Sequence, residues 1–123
     1  EESKPRVFSI GAPFSDGPKP DGSYMVIPGW AGFGVAKAAA TWVHQGMKTE
    51  LSGTACFGYG HPGFTRTPLI EQAAKDFSPQ HMLNKMCTKR MDAGDCHTPV
   101  EAAKMFYAVM TASDDAEFAG TKW

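Results

Sequence analysis

MVIPGWAGFGVAKAAATWV, residues 25–43, decides the fold, because every other segment must be arranged around whatever this one becomes. It contains one charge, Lys37, and its apolar residues fall on every side of a helix drawn from Gly29 onward. A helix apolar all round is expected to be buried, either among other helices or in a bilayer. Its length of about 19 residues lies within the spanning range of roughly 17 to 25. Against a span, Pro28-Gly29 shortens the helix, Gly32 and Gly34 add little hydrophobicity, and a mid-helix Lys costs about 2.5 to 3.5 kcal/mol. Trp30 and Trp42 would stand about 18 Å apart along the axis, too close to mark both interfaces. Residues 25–47 are therefore expected to form one strongly apolar helix, buried or membrane-embedded, with Gly32 and Gly34 permitting close approach of a neighbour.

The flanking segments are read against that helix. Residues 1–24, EESKPRVFSIGAPFSDGPKPDGSY, are rich in Pro and Gly. Only Val7, Phe8, Ile10 and Phe14 could bury much, so an extended arm without a core is expected, held by the body or by a neighbouring chain. Residues 48–66 include LSGTACFGYGHPGF, in which glycines alternate with aromatics; this reads as a Gly-rich loop or short irregular strand. Gly58 to Gly63 spells G-x-G-x-x-G, but Pro62 removes a donor and no helix signal follows before Thr67. A phosphate cradle requires a helix N-terminus directly after the glycines, so the match is not read as one.

Residues 67–112 contain three Ser/Thr-Pro pairs, Thr67-Pro68, Ser78-Pro79 and Thr98-Pro99, each ahead of a helical pattern. A hydroxyl at the N-cap and Pro at the first helical position predict helices near 68–77, 79–92 and 99–112. Thr98-Pro99-Val100-Glu101 forms a capping box, and Gly94 suits the residue just past a helix end. Met82, Leu83, Met86 and Cys87 give one expected buried stripe; Ala102, Ala103, Phe106, Val109 and Met110 give another. Residues 113–123 read as a tail. The expected fold is mainly α: a single domain over residues 1–123 with an extended arm, one apolar helix, a Gly/aromatic loop and a compact three-helix C-terminal part.

Twelve Lys+Arg against thirteen Asp+Glu, mixed along the chain, leave a net charge of -1. No basic stripe exists to neutralise phosphates, which speaks against nucleic acid as a partner. Cys87 and Cys96 flank the Gly94 turn and are the expected disulfide pair, with Cys56 left over. A loop of that size, about ten residues, would gain on the order of 2.7 kcal/mol on the chain-entropy model. Its formation would imply an oxidising compartment such as an organelle lumen, an intermembrane space or a periplasm. Glu1 in place of an initiating Met leads to the expectation of a processed protein.

Chemistry is sought first at AGDCHTP, residues 93–99. A helix-turn-helix corner explains it fully, between Gly94 and the Thr98 cap. Ala93-Gly94-Asp95-Cys96-His97 also resembles the single-cysteine haem motif of certain mitochondrial cytochromes c. That resemblance implies Cys96 as the covalent attachment and His97 as the iron ligand. His81, Met82, Met86, Cys87, Met91, Cys96 and His97 together form a set of soft donors suited to copper as Cu(I), although Met at helical spacing usually fills core gaps. His44, beside Trp42 and Val43, is a candidate ligand for a pigment such as chlorophyll or for a cofactor metal, against the plainer reading of a helix-end histidine. No cofactor is required by the sequence, and no set of catalytic groups assembles, so an enzyme is not expected.

The reading these features favour is a non-catalytic accessory subunit that braces a larger assembly. Other protein subunits are its expected partners, with a membrane or pigments a further possibility in a respiratory or photosynthetic complex. The alternative is a small soluble electron-transfer or metal protein built on Cys96-His97.

Overall fold

The structure, a computed structural model, describes residues 4–12, 17–112 and 114–120. It is mainly helical, but its organising element is a sheet. Strand β1, Arg6–Ile10, pairs in parallel with β2, Cys56–Gly60, in the register Phe8↔Gly58. A parallel pair requires a long crossover, and helix α1, Ala31–Leu51, supplies it. The arm expected over 1–24 therefore contributes a strand, and the Gly-rich loop of 48–66 contains another. Phe14, which the sequence suggested for burial, lies outside the described residues.

Alternation along the strands sets up three layers. On one side, Ser9 and Tyr59 meet α1: His44 Nδ1 lies 2.9 Å from Ser9 Oγ, and Thr41 Oγ1 lies 3.0 Å from the Tyr59 hydroxyl. On the other, Phe8 meets Phe106 at 5.1 Å and Phe118 at 6.0 Å between ring centroids. Phe106 belongs to α4, Pro99–Ala112, and Phe118 to the six-residue α5, Asp115–Gly120, within what reads as a tail. Gly58 has a packing reason: a Cβ there would stand 2.7 Å from the Phe118 ring, so only glycine lets the ring lie on the strand. Two glycines of the run that resembles a phosphate cradle, Gly58 and Gly63, thus accommodate the rings of Phe118 and His97. Arg6 ties the layers together, bonding Asp115 Oδ1 at 2.8–2.9 Å and the Met110 carbonyl at 2.8 Å.

A second core lies between α2, Pro68–Asp76, and α3, Met82–Asp92. Ala73, Ala74, Leu83 and Cys87 are buried there with Ile27 from the segment before α1. The Asn84 side-chain amide donates to the carbonyls of Ala74 and Phe77, satisfying the open end of α2. The expected start of α3 at Pro79 is corrected. Ser78-Pro79 makes a turn, with His81 N–H bonded to the Ser78 carbonyl, and His81 caps the helix through Nδ1 to Leu83 N–H at 3.1 Å. Met82 consequently turns outward, 50% exposed, instead of joining the buried stripe. Ala103 also leaves its stripe, while Ala102 and Val109 keep theirs.

The corner at residues 93–99 has the local geometry its residues imply. Gly94, at φ +68°, follows the helix; Asp95 N–H reaches the Arg90 carbonyl and Gly94 N–H the Met91 carbonyl, closing a Schellman motif. Thr98 Oγ1 accepts from Glu101 N–H at 3.2 Å while the Glu101 carboxylate accepts from Thr98 N–H at 2.7 Å. These bonds hold the Glu101 carboxyl below the usual carboxylate range.

Candidate functional site

Helix α1 carries the feature that most needs explanation. Residues Lys37, Thr41, His44 and Lys48 recur every three or four positions and share one face. That polar face looks inward: Lys37 Nζ donates to the Ile10 carbonyl at 3.2 Å, and Lys48 Nζ to the Ala119 carbonyl at 2.7 Å, besides the Thr41 and His44 contacts above. His44 is the helix's buried residue, 1% exposed. The opposite face is apolar and open to solvent, with Val35 71%, Trp42 81% and Val43 58% exposed. Of the helix expected to be buried or membrane-embedded, the described residues of this chain cover the polar face and leave the apolar face uncovered. Its hydrogen-bonding side chains pin it to a sheet only two strands wide, and that sheet has no room to cover the rest. Among the described residues no helix is long and apolar enough to cross a membrane.

Alongside this face runs an open groove of about 310 Å³ between α1 and the segment before it, lined by Tyr24, Val26, Trp30, Val35 and Ala38 among others. Tyr24 and Val26 are 63% and 67% exposed, so the apolar surface continues beyond the helix. Gly29, at φ +83°, makes the turn into α1, and a Cβ there would meet the Phe77 ring at 2.7 Å. The α2–α3 core thus fixes one wall of the groove. Among the described residues nothing lies within 4 Å of a Cβ at Gly32, so none of them fills the close approach expected there.

The residues singled out in the sequence as ligands are placed separately. His44 is enclosed against Phe57 and Tyr59, with ring centroids 6.2 and 5.5 Å away. Burial, and secondarily the Lys48 charge, hold its imidazole below the ordinary value of 6.5. It is a neutral fastener between α1 and β1, with Nδ1 committed to Ser9. Because the unfolded chain takes up a proton near pH 6.5 and the folded one only lower, stability is full above that value and falls as pH drops toward the depressed one. Glu101 and Asp21, both held below ordinary values of 4.5 and 3.8, titrate in a lower range. The urea midpoint is expected to fall between pH 7.5 and 5.5 in the wild type and to stay level in His44→Gln. A flat wild-type profile would show that His44 protonates without cost.

Cys96 and His97 sit on the corner, and His97 is exposed. His97 is tied by its backbone: its N–H donates to the Phe64 carbonyl and its carbonyl accepts from Arg66 N–H, both at 2.9 Å. Its ring lies over Gly63, where a Cβ would approach within 2.9 Å. Cys56, Cys87 and Cys96 are all free thiols, so the expected Cys87–Cys96 bond is not formed. Cys87 faces inward from α3 at 0% exposure, and burial, with the neighbouring Cys96 second, pushes its thiol up. Among the described residues no three His, Cys, Asp or Glu side chains group to hold a metal ion. Of the soft donors, Leu83's neighbours Met86 and Met91 pack on the α2–α3 core while Met82 points to solvent.

The carboxyl ends of β1 and β2 lie together at Ile10 and Gly60, with Lys37 over Ile10 and the Phe33 ring 5.7 Å from the Lys37 ammonium. Sequence reading missed this convergence, because it depends on a parallel pairing of residues 50 positions apart. No family model, no curated protein and no solved structure matches the chain.

Proposed function

We propose that this chain is a non-catalytic accessory subunit that docks on another protein through the outward face of α1 and braces a larger assembly. The observation that carries this reading is the inverted helix: its polar residues bind its own sheet and its apolar residues meet solvent. A contiguous exposed apolar face of that kind marks an interaction surface, and an exposed Trp at its centre has the character of an interface anchor. The adjoining groove extends the surface and gives a partner side chain somewhere to enter.

The test is size-exclusion chromatography with multi-angle scattering on the isolated chain, together with recovery of the parent complex from its source. The wild type is expected to self-associate without its partner and to enter the complex. Trp42→Asp is expected to be monomeric and to bind at least 30-fold more weakly, the effect of losing an anchor worth about 2 kcal/mol or more. Because Trp42 contributes to neither core, its helical content should be unchanged.

A monodisperse wild-type monomer without partners would overturn this reading and bring forward a second one. In sheets of parallel strands, ligands bind beyond the carboxyl ends. Lys37 and Phe33, standing over the ends of β1 and β2, favour a crevice for a small anionic ligand there.

A further inference from the structure

We infer that His81 is a proton-sensitive cap: neutral, its ring closes the first turn of α3, and protonated, it opens that turn and loosens the groove wall formed by residues 24–30. Its bearing on docking rests on the subunit reading, whereas the cap itself rests on the geometry of the ring. His81 precedes α3 with an extended backbone, and its Nδ1 accepts the Leu83 N–H at 3.1 Å. An imidazole nitrogen accepts only through its lone pair, so Nδ1 carries no proton and the neutral ring holds its hydrogen on Nε2. A second proton can go only to Nδ1. The imidazolium then has two donors and no acceptor, so the cap bond cannot survive, and a positive charge at a helix N-terminus also opposes the helix dipole. Ser, Thr or Asn at this position would cap without such a response.

The ring is also the joint of three segments. It stacks on Phe77, the residue that ends α2, at 4.3 Å between centroids and 24° between planes. A Cβ at Gly29 would stand 2.7 Å from the Phe77 ring and 3.8 Å from His81 Cε1, so the turn into α1 rests on the same pair. Two residues into the helix, Leu83 packs with Ile27, and Trp30 and Phe77 lie against that cluster. Release of the Leu83 N–H therefore reaches Ile27 and Trp30, which line the groove. His81 itself is half-buried, open enough to exchange a proton with solvent.

These contacts of the ring, the Phe77 side chain, Gly29 and the Leu83 N–H, are uncharged. The ionisable groups on the elements around it are Lys75 and Asp76 at the end of α2, Lys85 one turn into α3 and Tyr24 on the segment before α1. All four are exposed, where water and salt screen them. The cap is complete while the imidazole is neutral and is lost as pH falls through the range in which histidine takes up its proton. An imidazolium over the Phe77 face gains as a cation on an aromatic ring, which offsets the lost bond. The change is therefore read in the first turn of α3 and not in the overall urea midpoint.

The experiment is nuclear magnetic resonance on the full chain, following the His81 ring nitrogens and the Leu83 amide. At pH 7.5 the nitrogen shifts should place the proton on Nε2. Between pH 7.5 and 5.0 the Leu83 protection factor should fall about fivefold, the ratio for a cap of typical strength, in step with the His81 ring shifts. The Trp30 indole signal should move over the same range. His81→Asn, whose amide caps without titrating, should hold Leu83 protection level. A proton on Nδ1 at pH 7.5 would overturn the inference, as would level Leu83 protection in the wild type. An equal fall in His81→Asn would assign the response to another group, such as His44, and overturn it too. If that variant loses its fold, the tautomer and the wild-type profile decide by themselves. Trp42→Asp should give the same titration, so this inference and the subunit reading fail separately.

Discussion

Phe118→Ala is expected to destabilise the chain by about 3 to 5 kcal/mol, the usual cost of emptying a fully buried phenylalanine site. Phe118 is 0% exposed although it comes from a helix of six residues close to the C-terminus. Its ring lies on Gly58, beside Phe8 and under the Arg6 guanidinium, 5.1 Å from the ring centroid. The strand beneath cannot collapse into the space, because Gly58 has no side chain to fill it. Apart from the ring, the ties of α5 among the described residues include polar ones, the Arg6–Asp115 pair, Lys48 to Ala119 and Asp115 to the Cys56 thiol. Those partly exposed contacts are worth little each. Small domains have only about 5 to 15 kcal/mol in total, so the variant should lie near the folding threshold. Urea denaturation followed by circular dichroism measures the shift; a loss below about 1 kcal/mol would show that α5 does not hold the sheet.

What the sequence revealed of this fold divides along the range of the interactions. The start of α4 is legible because its capping box involves residues three apart, and the end of α3 because the Gly94 turn closes within five. The α3 start is misread because Ser78-Pro79 and His81 compete for the same cap, and His81 wins through its ring nitrogen and the stacking of its ring on Phe77, 4.3 Å between centroids. The parallel strands are missed in kind: RVFSI and CFGYG are five residues each, and neither signals a partner separated from it by a whole helix. The alternation of glycine and aromatic in residues 56–60 was the available sign, since a glycine in a strand marks a close approach. At the site, the spread of apolar residues around the helix, Trp42 and Val43 among them, is legible in the sequence, but their outward direction follows from what Lys37, Thr41, His44 and Lys48 bind. His44, Cys96 and His97 carry ligand chemistry in the sequence, and their surroundings give them packing and corner-forming positions.

The other large effect is expected at Leu83, and it reaches the surface as well as the core. Leu83 is 0% exposed on α3, packed in the cluster with Ile27, Ala73, Ala74 and Cys87, around which Trp30, Phe77 and Met86 lie half-buried. Leu83→Ala is expected to cost about 2 to 5 kcal/mol, toward the upper part of that span if the cavity persists. Persistence is favoured here: the facing positions on α2 are alanines, which have no side chain to swing into the gap, and α2 and α3 are held at fixed separation by the Asn84 bonds to Ala74 and Phe77. The loss spreads to Ile27 and through it to Trp30 and the Gly29 turn, whose backbone rests on Phe77. The groove beside α1 should therefore loosen along the wall formed by residues 24–30, while the wall formed by α1, pinned by His44 to β1, stays in place. Urea denaturation gives the first number, and Trp30 fluorescence, compared in backgrounds that carry both Trp42→Phe and Trp123→Phe, gives the second. An unaltered Trp30 environment despite the lost stability would mean that the groove does not depend on the α2–α3 core. A lost environment combined with weakened partner binding would show that this core holds the docking surface in shape.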